Sequence, residues 1–432
     1  MRSKSIVAVF MVITLLASLL STSVFAETTE VDNGLAVSST KLLPRSDVMK
    51  IVDMNLQGYL STDIQTQGKT LTASEDFIPL YDLQNNMFAY MVPLLENGED
   101  IGYMTVGAIE DGYATYNILI EDNIISNILS KLNETNASDA GSAQLVFIPP
   151  MQYILKREMN QSVQYFDITN IRQIHEVTNT IEKNQSVIQD AYKNIRNEEN
   201  REHMRNLQQA SPSYSTLAAK EDVSLYSERT YGNFVPIEYS NGVYSYGGNQ
   251  NWWDSGSNQA ERGCGPVAAA NITNYLAKIK DSRKYGKLYS GNTWSLSDFM
   301  KHMNTLYDYI NPGMFGEVSV SDFASTVERY AKDKGVTLSR VTDNSSFTLD
   351  NTANYIKAGL SIDSPVATLN TKKWSNYDYE WHWMTITKYY RDPNDNRWIA
   401  VSTWGKRHSI DYRVHFDAMK YGWWQGGLMY FE

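Results

Sequence analysis

A chain of 432 residues with a single cysteine cannot close a disulfide within itself, so apolar cores alone must hold its folded parts. That cysteine, Cys264, lies in Arg262-Gly263-Cys264-Gly265-Pro266-Val267-Ala268-Ala269-Ala270-Asn271. Pro266 suits the first turn of a helix, where its missing N–H costs nothing. Ile272, Leu276 and Ile279 then recur at helical spacing, which predicts a helix beginning around Cys264 with one buried face. Gly263 and Gly265 remove side chains on both sides of the thiol, as the approach of a substrate carbonyl requires. An isolated cysteine is more often a small buried hydrophobe; the two glycines and the helix start favour a nucleophile here.

The first 26 residues read as a cleaved secretory signal. Arg2 and Lys4 precede an apolar run, Ile6 to Leu20, and Val24-Phe25-Ala26 presents small residues before Glu27. The run is shorter than the roughly 20 residues a membrane span needs, and no later segment resembles a span. The expected location is therefore outside the cell or at its surface, with no membrane contact after cleavage. The formal charge of −11 argues against a nucleic-acid partner. No phosphate loop, CxxC pair or HExxH motif is present, and no metal or cofactor is expected.

Composition divides the chain. All ten tryptophans lie between Trp252 and Trp424. Residues 223–432 hold 22 Lys and Arg against 21 Asp and Glu, whereas residues 1–222 hold 16 against 28. Two domains with different tasks are expected, the acidic one able to restrain the other. Its first helix is predicted near Arg45 to Tyr59, from Val48, Ile51, Val52 and Leu56. Four strand-like runs follow, Ile78 to Leu83, Met87 to Leu95, Ile101 to Ile109 and Tyr113 to Ile120, separated by turn residues as in an antiparallel meander. Glu176 to Gln209 reads as one long helix. Gln208 to Thr216 is small, polar and interrupted by Pro212, which suggests an exposed, cleavable linker. Beyond Cys264, helices are predicted over Ser321 to Lys334 and Asn354 to Leu360. Strands are predicted over Pro365 to Leu369, Trp383 to Tyr389, Trp398 to Ser402 and Tyr412 to Phe416. Helices first and strands later make an α+β class.

A thiol of pKa ~8.5 is mostly protonated at neutral pH. A helix N-terminus and a neighbouring imidazolium both favour the thiolate, and the Cys264 N–H is a natural oxyanion donor. Among six histidines, His175 and His203 look solvated, His302 follows a helix near Asp298, and His408 and His415 fall in or beside late strands. His382 is the best base, because it heads a strand that would hold it rigidly at a cleft. A third group must orient the imidazole, and the end of the next strand, Ser402-Thr403-Trp404-Gly405, offers one.

Gly263 to Asn271, the His382 strand, the Ser402 to Gly405 turn and Ile356 to Val366 together resemble a papain-like cysteine peptidase. The likeness is nearest to secreted streptopain-like zymogens and to the peptidases that process bacteriocin leaders, and it covers roughly residues 235–432. The resemblance implies a signal over 1–26, an acidic α+β pro-domain over 27–210, a linker with the activation cleavage over 211–232 and a peptidase domain over 233–432. It implies that Cys264 is the nucleophile, that His382 is its acid–base partner and that Trp404 shields the pair. The family has an asparagine or aspartate where this chain has Ser402, so either Ser402 or another residue such as Asp392 orients the histidine. The oxyanion amide falls to Asn258 or Gln259.

The expected function is thus a secreted cysteine endopeptidase acting on protein or peptide substrates, held inactive by its own pro-domain. Two alternatives use the same scaffold: a cell-wall amidase or transpeptidase, and a silent binding protein presenting Trp252, Trp253, Trp423 and Trp424.

Overall fold

The computed structural model describes residues 41–137, 142–159, 162–171, 174–210, 219–313, 318–370, 382–420 and 427–432. The signal segment, residues 211–218 of the linker, Trp423 and Trp424 lie outside them. The class is mixed α+β, with one large and mainly antiparallel sheet.

The four strand-like runs of the first half become strands β2 (Ile78–Tyr81), β3 (Met87–Glu96), β4 (Glu99–Gly107) and β5 (Thr115–Ile120), preceded by a short strand outside those runs, β1 (Leu71–Ala73). Then come β6 (Ser142–Ile148), β7 (Gln152–Met159), β8 (Ser162–Asp167) and β9 (His175–Glu176). Asn97 and Gly98, both at positive φ, close the two-residue turn between β3 and β4, as the twist of a hairpin demands. The second half adds β10 (Glu221–Ser224), a small ribbon of β11 (Glu238–Ser240) and β12 (Val243–Tyr244), then β13 (Val366–Asn370), β14 (His382–Arg391), β15 (Arg397–Thr403), β16 (Lys406–Asp411) and β17 (Gly427–Met429).

The strand order is β17-β13-β14-β15-β16-β5-β4-β3-β2-β6-β7-β8-β9, with β10 on β14 and β1 on β3. The two compositional halves therefore meet edge to edge. β16 pairs with β5 through Ser409 opposite Ile118 and Ile410 opposite Asn117. Residues 40–432 form one compact unit. One core surrounds the Cys264 helix and takes in Met151 from the first half. A second core fills the first half and takes in Val414 from the second. A third lies where the halves meet, with Val48, Ile51 and Tyr59 packed around Tyr390 and Trp398.

Three local expectations change. Tyr412–Met419 is a helix, not a strand, because the Asp411 carboxylate accepts from the Arg413 N–H at 2.9 Å and caps it. The charged segment is two helices, Thr178–Ile195 and Glu198–Gln209; Asn197 breaks it by capping the second, accepting from the Asn200 N–H at 2.9 Å. The described end of the linker is ordered. Residues 221–224 pair with 388–391, and Tyr226–Tyr231 is a short helix whose Glu228 is buried.

Candidate active site

Cys264 opens the helix Cys264–Tyr275, whose residues from Gly265 onward are all buried. The one-sided burial expected from Ile272 and Leu276 thus becomes burial all round, and the helix packs against β14 and β13. The flanking glycines have a packing reason. A Cβ on Gly263 would lie 2.2 Å from the Trp253 ring and 2.3 Å from the Gln259 carbonyl. A Cβ on Gly265 would meet the Trp383 ring at 3.3 Å, so this glycine lets the start of the helix settle beside the head of β14. Cys264 itself is only partly buried.

His382 is the first residue of β14 and is 2% exposed. Its Nε2 pairs with the Thr403 hydroxyl at 2.7 Å. Burial pushes its pKa down to about 3, so the ring is neutral in this state. The Trp404 ring stacks on the imidazole, with centroids 4.6 Å apart and planes 19° from parallel. Trp404 and Gly405 are the two turn residues between β15 and β16, and both have positive φ, 48° and 73°. Glycine is at ease there, whereas tryptophan is strained by about 1 kcal/mol. A large ring kept at a strained position directly over a histidine suggests a role that outweighs the turn.

The third group is not the one expected from alignment of the turn. Ser402 faces away from His382 and donates to the Tyr246 carbonyl at 2.6 Å. Successive residues of a strand point to opposite faces, so only one of Ser402 and Thr403 can reach the imidazole, and it is Thr403. Asp392 is excluded on distance as well. It sits beyond the far end of β14, ten residues of strand or about 30 Å from His382, where it accepts from the Asn394 and Asn396 amides. The turn carrying Trp404 is pinned from the other side, since Tyr246 N–H donates to the Gly405 carbonyl at 2.7 Å and Gly405 N–H to the Gly248 carbonyl at 3.0 Å.

Asn258 and Gln259 both lie on the short helix Asn258–Arg262 that precedes Cys264. Asn258 is exposed, and Gln259 lines a pocket of about 310 Å³ with Trp253, Asp254, Ser257, Asn304, Tyr307 and Asp308. Sequence reasoning passed over a third amide nearby: Gln250 Nε2 donates to the Ala260 carbonyl at 2.9 Å.

The remaining histidines are placed elsewhere. His302 lies inside the helix Leu296–Ile310 rather than after one, and bonds the Thr273 hydroxyl at 2.8 Å. His415 bonds Thr368 at 2.7 Å within the core. His408 is buried, its ring set edge-on to Trp404 with centroids 6.4 Å apart. His175 is exposed, whereas His203 is half-buried and desolvation, aided by the Arg413 charge, lowers its pKa to about 4. Among the described residues, no cluster of three metal-ligating side chains occurs, and no helix is long and apolar enough to cross a membrane. Comparison with protein-family models, with curated proteins and with solved structures finds no match.

Proposed function

We propose that the chain is an exported cysteine endopeptidase of papain-like design, described here in its latent state. The observation that carries this reading is the set built on His382: a rigid imidazole at a strand head, its Nε2 bonded to Thr403, its face covered by Trp404, and a cysteine at the N-terminus of the helix packed on the same strand. A Thr403 hydroxyl that accepts from Nε2–H leaves Nδ1 as the basic nitrogen. In the reaction, Nδ1 takes the Cys264 proton and the sulfur attacks a peptide carbonyl. The tetrahedral oxyanion is held by the Cys264 N–H and a nearby side-chain amide. Collapse breaks the C–N bond, and the imidazolium gives its proton to the departing amine. Water, deprotonated by the same nitrogen, then hydrolyses the thioester and regenerates the thiol.

Latency follows from the same burial. A thiolate–imidazolium pair needs a ring that accepts a proton near neutral pH, and burial holds His382 far below that. Opening the cleft to water raises the imidazole pKa and arms the cysteine. Cleavage between Ala210 and Ala219 fits this scheme better than cleavage near Tyr231, because the strand 221–224 and buried Glu228 belong to the packed structure. The silent-scaffold alternative rested on Ser402 and loses its motive once Thr403 supplies the bond. The deciding test compares wild type with Cys264→Ala on a generic peptide library after cutting between Ala210 and Ala219. Hydrolysis by wild type alone is expected; equal hydrolysis by both would refute the reading.

A further inference from the structure

The surface between the two compositional halves is built like a permanent interface. Arg407, on β16, is 4% exposed. Its guanidinium reaches Asp63 of the first half at 2.6 Å and Glu228 of the second at 2.5 Å, and it also donates to the Gln65 side chain at 3.0 Å. Lys388 stands 3.5 Å from the same Asp63 carboxylate and 3.4 Å from Asp222. Burial alone would raise the Asp63 pKa, but the Arg407 and Lys388 charges outweigh it and hold the carboxyl below its ordinary value. Around this charge cluster the contact is apolar and specific. Tyr59 stacks on Trp398, with centroids 5.3 Å apart and planes at 18°, and its hydroxyl meets the Ser409 hydroxyl at 2.7 Å. The Trp398 indole N–H donates to the Asn55 side chain at 3.0 Å.

Removing residues 41–210 would strip Asp63 from both cations, leaving Arg407 with Glu228 alone and Lys388 with Asp222 alone beside an opened cavity. Stripping one partner from a buried ion pair is costly, and β16 would become an open strand edge. We infer that the first half is a permanent subunit of the second, so that cleavage between them yields a two-chain protein rather than a released inhibitor. Arg407 also ties the clamp to the site. Glu228 accepts from the Tyr246 hydroxyl, and the Tyr246 backbone pins Ser402 and Gly405 on either side of Thr403 and Trp404. Activation must then work by movement within the joined halves and not by dissociation.

The test uses the full chain in a Cys264→Ala background, with a protease recognition sequence inserted between Ala210 and Ala219 and cut to completion. Its readout is association, so it stands or falls apart from the peptidase reading. Native gel filtration at about 1 μM should give a single peak containing both fragments. The peak should persist in about 1 M sodium chloride, because a buried pair escapes screening over a Debye length of ~3 Å. Fragments that elute separately would overturn the inference. Asp63→Asn in the cut chain should weaken association at least about ten-fold. An unchanged dissociation constant would show that the Arg407 cluster is not the clamp.

Discussion

Replacing Thr403 with valine isolates the single bond on which the assignment of the site depends. Valine keeps the β-branched shape that suits β15 and removes only the hydroxyl that meets His382 Nε2 at 2.7 Å. The imidazole is 2% exposed, so water cannot readily take the place of the lost partner. An unsatisfied buried nitrogen costs about 1–3 kcal/mol, and the ring can lower that cost only by rotating or changing tautomer. Either response moves the basic nitrogen away from its working position, so the same energy appears in the transition state. At about 1.4 kcal/mol per factor of ten, kcat/KM should fall by about 10–100-fold. Thr403→Ser, which restores a hydroxyl, should recover most of that loss. Ser402→Ala is the control. It deletes the bond to the Tyr246 carbonyl, so it should cost about 1 kcal/mol of stability and leave kcat/KM within about three-fold. The assay is hydrolysis of a fluorogenic peptide by the cut protein, with the pH dependence of iodoacetamide alkylation as a second readout. If Ser402→Ala lowers kcat/KM more than Thr403→Val, the assignment of the orienting residue is wrong.

Acid should destabilise the fold well before the carboxylates titrate. His382, His302 and His408 are held to about 3 and His203 and His415 to about 4 by burial, against 6.5 for an ordinary histidine. Below pH 6.5 the unfolded chain takes up protons that the native state refuses, so stability falls with falling pH through pH 4, by up to about 1.4 kcal/mol per unit for each histidine. Asp411, raised to about 6 by burial, opposes this, and Asp222, Glu228 and Asp392, which burial also raises, act in the same direction. A urea midpoint that stays flat between pH 7 and 5 would contradict the histidine placements. At the turn, Trp404→Ala and Trp404→Asn both remove the stacked ring, so both should lose activity alike. Asparagine accepts the positive φ, so that variant should be the more stable by about 1 kcal/mol in thermal or urea unfolding; equal stability would refute the strain assigned to Trp404.

What the sequence made legible is local. The start of the Cys264 helix, the β3–β4 turn at Asn97-Gly98 and the strands around His382 and Val401 are each dictated by a few adjacent residues. Errors arose where two local signals compete. Tyr412 to Phe416 alternates like a strand, yet Asp411 offers a helix cap, and the cap prevails because the helix buries Tyr412, Val414, Phe416 and Met419. Asn197 likewise interrupts an otherwise continuous helical pattern. Counting along the turn favours Ser402 over Thr403, whereas the strand's own period favours Thr403, since a bulge between Ile386 and Lys388 is the only irregularity along β14 and β15.

The contact between the halves was not legible, for a reason that is also physical. The pairing of Ser409 with Ile118 and the salt bridge from Arg407 to Asp63 join residues far apart in the chain, and neither leaves a mark in composition. The charge asymmetry of the halves pointed instead to a detachable acidic cover. In the structure, the acidic surplus does not act as a diffuse field. One carboxylate, Asp63, enters the interior and meets two cations there, and the apolar contact of Tyr59 with Trp398 seals it from water. A loose electrostatic cover would be shed at high salt, whereas a sealed ion cluster would not be. Under the proposed peptidase reading, latency of His382 would depend on how the joined halves rearrange around Thr403 and Trp404, and the strand β16, which carries both Arg407 and the end of the Trp404 turn, is the element through which the first half could act on the imidazole.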